Sequence, residues 1–125
     1  MLKIRFIAKT QDELSKGLMH SNPLDIDESA LFTFPYASNH SFWNKNVNFP
    51  ISLIFLDDNF QVKHIGKLDA NQEKACRSGY PLIKHVLEGH HNLPKEYDIQ
   101  IDDFCLLTDN KIKIVKGNGN VKKEL

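Results

Sequence analysis

The sequence predicts an α+β domain, a β-rich antiparallel sheet or partial barrel carrying one or two short helices. Three observations lead there. About seven or eight segments are strand-sized and either alternate apolar with polar residues or are briefly apolar throughout. Asp/Asn-rich turns (57–59 and 109–110) separate two pairs of them. Helix-capable stretches are too few to follow every strand, which argues against a doubly wound parallel sheet. With 125 residues, 41% hydrophobic and 26% charged, the chain can bury a core without disulfide or metal support. It reads as one globular domain over 1–116, followed by a Gly/Asn-rich polar tail, 117–125, that is expected to fray.

Each element has its own signal. Leu2, Ile4 and Phe6 alternate with Lys3 and Arg5, a strand with one buried face. Thr10-Gln-Asp-Glu13 fits a capping box, so a helix of about two turns carries Leu14 and Leu18 and ends by Gly17 or before Pro23. Ala30-Leu-Phe-Thr-Phe34 is a buried strand stopped by Pro35, and Ser41-Phe-Trp43 a brief extended piece. Residues 51–56 are apolar on both faces and pair through the Asp57-Asp-Asn59 turn with 60–65. Residues 67–81 show no periodicity and are expected as a long loop. A strand over 83–87 ends at Gly89, and Pro94 restricts 90–97 to a short helix. A second hairpin joins 104–108 to 111–115.

Charge and composition narrow the function classes. Sixteen basic and 16 acidic residues sum to zero, which argues against non-specific nucleic-acid binding. No apolar run approaches the ~18 residues needed to span a bilayer. The N-terminus lacks the apolar core of a signal peptide, so a cytoplasmic setting without a membrane partner is expected, with Cys76 and Cys105 as free thiols. Phosphate-binding loops, nucleophile elbows, paired Cys-x-x-Cys and His-Glu-x-x-His motifs are all missing, so no cofactor or metal is expected.

The segment His40-Ser-Phe-Trp-Asn-Lys-Asn-Val-Asn-Phe-Pro50 concentrates the single Trp, a Lys and three Asn beside the most apolar strand. If Trp43 and Lys45 share a face, a flat apolar platform stands next to a cation. Ser41 and Asn46 add directional hydrogen bonds, and Arg77, in the unpatterned loop, adds a guanidinium fork. On residue type alone, Trp43 as a core plug with a solvated Lys45 explains the segment equally well.

The residues also resemble a known family. Gly17-Leu-Met19, Leu31-Phe-Thr-Phe-Pro35, Ser41-Phe-Trp-Asn-Lys-Asn46 with Pro50 four residues on, Ile54-Phe-Leu-Asp57 and Val86-Leu-Glu88 follow one another as in domain of unknown function 192, over about residues 2–108. The chain departs from that pattern at Asn44 (usually Met), Ser52 (usually Asp), Ser29-Ala30 (usually Gly-Met) and Cys76 (usually Tyr). The resemblance implies a β-rich fold with small helices and no reaction.

Three function classes follow. The leading one is a non-catalytic small-molecule binding domain for an anionic, ring-containing ligand such as a nucleotide, a phosphorylated metabolite or an acidic saccharide, held by Ser41, Trp43, Lys45, Asn46 and Arg77. A hydrolase or lyase would use His40 or His85 as base, with Glu88 orienting the histidine. A protein-interaction module would use a strand edge or the Phe42/Trp43/Phe49 surface.

Overall fold

Alternating residues at both ends of the chain become neighbouring strands of one sheet. The computed structural model describes residues 1–117. Its elements are β1 (Leu2–Ala8), α1 (Gln11–Lys16), β2 (Glu28–Ser38), β3 (Ser41–Phe42), β4 (Ile51–Leu56), β5 (Val62–Leu68), β6 (Cys76–Arg77), β7 (Ile83–His90), α2 (Leu93–Glu96), β8 (Phe104–Thr108) and β9 (Lys111–Val115). Seven strands form a curled sheet in the order β5-β4-β7-β2-β1-β9-β8, and β3 pairs with β6 apart from it. The sheet is a half-barrel, antiparallel except where β1 runs parallel to β2. That parallel pair is possible because α1 and residues 17–27 give the crossover enough chain. The end strands approach each other at one point: Val62 N–H donates to the Asp103 carbonyl (2.7 Å) and Cys105 N–H to that of Phe60 (2.9 Å).

The expected capping box is present, with Glu13 N–H donating to Thr10 Oγ1 at 3.1 Å and Thr10 N–H to Glu13 Oε1 at 3.0 Å. Several boundaries differ from expectation. β2 continues through Pro35 to Ser38, because its pairing with β7 lapses between Thr33 and Ser38 and the missing proline N–H costs no ladder bond there. The expected loop over 67–81 holds the end of β5 and the short β6, which needs β3 as its partner. Trp43 lies just beyond β3. β7 runs past Gly89 to His90. Of the expected tail, 118–125 fall outside the described residues, whereas Gly117 N–H donates to Asp103 Oδ1 at 3.3 Å.

All six residues of β4 are buried because both faces of the sheet are covered. Leu2, Leu31, Ile54, Val62, Leu87 and Cys105 form one apolar cluster; it draws on both end strands and so fills the inside of the curl. Phe32, Leu53, Phe55, Val86, Leu18 and Val47 form the other, on the opposite face, under α1 and β3. Gly89 lets α2 pack onto the first cluster: a Cβ there would lie 2.3 Å from Leu93 Cδ2, and Leu93 is fully buried. Gly89→Ala is therefore expected to destabilise the fold by about 1–3 kcal/mol in a urea melt, as overpacking does. No helix among the described residues is long and apolar enough to cross a membrane.

Candidate functional site

On the face opposite the curl, α1 and its following turn, the Phe-rich end of β2 and the segment after β3 enclose a cavity of about 210 Å³. Its inner wall is aromatic. Phe42 meets Phe32 and Phe34 edge-on, each at 5.8 Å between ring centroids. The segment after β3 is braced by Asn44, which is buried: its Nδ2 donates to the carbonyls of Phe49 and Asp69, both at 2.9 Å, and its N–H donates to that of Gln72 at 2.7 Å. With Asn44 turned inward, its neighbours Trp43 and Lys45 turn outward. Lys45 Nζ sits 5.4 Å from the Trp43 ring centroid, a cation–π distance, and the indole is 49% exposed. An indole used only to plug the core would be sealed from solvent.

Ser41, Trp43 and Lys45 thus line one cavity. Asn46 and Arg77 do not. Asn46 has a left-handed backbone (φ 61°) and faces a neighbouring hollow beside Asn48 and Asn71. Arg77 pairs across from Ser41 on β6 and is exposed.

Glu88, expected from the sequence only as a partner for a histidine, is brought by the structure into this cavity. It is 3% exposed, opens onto the cavity, and is flanked across the sheet by Ala30 and Leu53. Among the described residues no hydrogen bond or ion pair engages its carboxyl, whose oxygens are not sealed but keep some surface open, and burial of the residue pushes its pKa up to about 8. The acid form therefore predominates at neutral pH. Strand parity carried the signal: Glu88 shares a face of β7 with buried Val86, two residues away.

That parity also separates Glu88 from His85, so the expected orienting contact does not form. His85 lies on the other face, its Nδ1 3.0 Å from Thr33 Oγ1 and its ring stacked on Phe60 at 4.1 Å. Burial, helped by nearby Lys84, pushes its pKa down to about 4, so it is neutral at pH 7. His40 stacks on Phe34 at 3.6 Å, with Nε2 3.0 Å from the Tyr36 carbonyl, in an adjoining hollow. Among the described residues no three His, Cys, Asp or Glu gather in a metal-binding group.

The model of the family described as DUF192, "Uncharacterized ACR", matches residues 3–105. No curated protein matches the chain. Solved structures share the fold, two of them as follows. One, a candidate transcription regulator from Sinorhizobium meliloti, superposes with a TM-score of 0.77 at 22% identity, over 82% of this chain and 79% of that one. The other, a protein of unknown function from Novosphingobium aromaticivorans, superposes with a TM-score of 0.74 at 26% identity, over 81% of this chain and 73% of that one.

Proposed function

We propose, from the premise that the chain belongs to the DUF192 family, that it is a binding domain for a small molecule with a ring and an anionic group. The observation that carries this reading is the half-exposed Trp43 with Lys45 beside its ring, at the mouth of a cavity with an aromatic inner wall. The indole supplies a flat apolar surface, the ammonium a counter-charge, and Ser41 a hydroxyl. A volume of about 210 Å³ suits one ring with its substituents, which favours a monosaccharide-sized or single-ring ligand over a whole nucleotide inside the cavity. Asn46 and Arg77 drop out of this reading because they do not line the cavity. Hydrolysis on His85 is disfavoured by its place on the opposite face. Unpaired Cys76 and Cys105 suit a reducing compartment, so we assign the protein a cytoplasmic setting.

Trp43 is the sole Trp and reports directly on the site. Titration of single-ring carboxylates and sugar phosphates is expected to shift its emission. Lys45→Ala should weaken the best of them by about tenfold, the loss of ~1.4 kcal/mol of charge complementarity. Calorimetry on Trp43→Ala should show a comparable loss. No emission change with any compound, or an affinity indifferent to Lys45→Ala, would reject the reading.

A further inference from the structure

The cavity is ordered by charge from its mouth to its wall. Lys45 and Lys16, both exposed, are its cationic liners; Glu88, nearly sealed, is its acidic one. Glu88 is flanked in the adjoining strands by Ala30 and Leu53, and Leu18, Phe32, Phe42 and Val47 are apolar liners of the same cavity. None of these can donate a side-chain hydrogen bond to a carboxylate. A buried polar group without a partner is costly, and in a cavity a ligand can supply that partner. Among the described residues the lysines are the cavity's only counter-charge for an anionic group, so the anionic end of a ligand belongs with them. As an acid Glu88 can donate its own proton, whereas as a carboxylate it takes a donor, which the inward end of the ligand is placed to supply.

We propose that the cavity takes a small dipolar molecule, a ring bearing an amine and an anionic group, with the ammonium against Glu88 and the anion at Lys45. This rests on the ring-and-anion reading above and adds to it the identity of the buried end. On binding, the ligand arrives as an ammonium, the Glu88 carboxyl gives up its proton to the buffer, and a charge-assisted ammonium–carboxylate hydrogen bond takes its place. The aromatic wall excludes water around that pair, and the Trp43 indole covers the ring. Glu88 then discriminates an amine from a hydroxyl of the same shape.

The test compares 4-(aminomethyl)benzoate with 4-(hydroxymethyl)benzoate, followed by Trp43 emission and by calorimetry at pH 7 in two buffers of different ionisation enthalpy. The amine is expected to bind tighter by about tenfold or more, the scale of one desolvated charge pair. It should release close to one proton, and the alcohol none. Glu88→Gln keeps the shape of the wall; it should abolish both the preference and the proton release. Lys45→Ala should weaken both probes alike. Equal or tighter binding of the alcohol, sensitive to Lys45→Ala, would overturn the proposal while leaving the ring-and-anion reading intact. Binding of neither probe also overturns it, and the ring-and-anion reading is then decided by the wider titration described above.

Discussion

Asp103→Ala is expected to cost about 3 kcal/mol and to lower Tm on the order of 10 °C, because it removes a fully buried carboxylate with several partners. The Asp103 carboxylate accepts from Gln100 N–H at 2.8 Å, from Gly117 N–H at 3.3 Å and from the Lys116 ammonium. Burial alone would raise its pKa, yet the Lys116 hydrogen bond and the two backbone donors outweigh it and hold the carboxyl below its usual range. Its stabilising contribution is therefore complete above the unfolded value near 3.8 and fades as pH falls through the lower folded value. Thermal melts of the variant and the parent should differ most at neutral pH and converge toward pH 2. Asp103→Asn keeps an acceptor for Gln100 N–H and should lose about half as much. An equally stable alanine variant would show that the turn before β8 and the chain after β9 are held together without this carboxylate.

Glu88→Gln is expected to act in the opposite direction and on the alkaline side. The folded protein holds the Glu88 proton to about pH 8, whereas the unfolded chain releases it near 4.5. Between those values the native state binds more protons than the unfolded one, so stability declines as pH rises from about 4.5 to about 8 and is level beyond. Glutamine does not titrate. The variant should match the parent near pH 4 and exceed it by roughly 3–5 kcal/mol at pH 9, at 1.36 kcal/mol per pKa unit. Urea unfolding at the two pH values measures this directly. A difference independent of pH would mean that Glu88 has a partner and is ionised throughout.

Local signals were read well from the chain; pairings between distant segments were not. The capping box at Thr10 and Glu13 and the hairpin of β8 and β9 depend on neighbouring residues, and both are where the pattern puts them. The course of β2 through Pro35 depends on where β7 stops pairing, and β6 exists only because residues 41–42 lie beside it. The site divides in the same way. Trp43 and Lys45 are visible as residue types close together, and their shared cavity follows. Asn46, equally close in sequence, turns away through its left-handed backbone. Glu88 lies more than 40 residues further on, and its closeness to Phe32 comes from the β2–β7 pairing rather than from any motif. Its burial was within reach of strand parity; its lack of a partner was visible only in three dimensions.

The meeting of the first strand with the last has a consequence for biosynthesis. β1 takes one of its two hydrogen-bonded neighbours, β9, from residues 111–115, and β5 closes on β8 through residues 60–62 and 102–105. A nascent chain cannot complete the first seam until residue 112 has left the ribosome, nor the second until residue 105 has. Residues 1–90 must wait with the inner cluster still short of Cys105 and Ile112. Pairing of β1 with β9 joins residues more than 100 positions apart, and until it forms that side of β1 is an open strand edge.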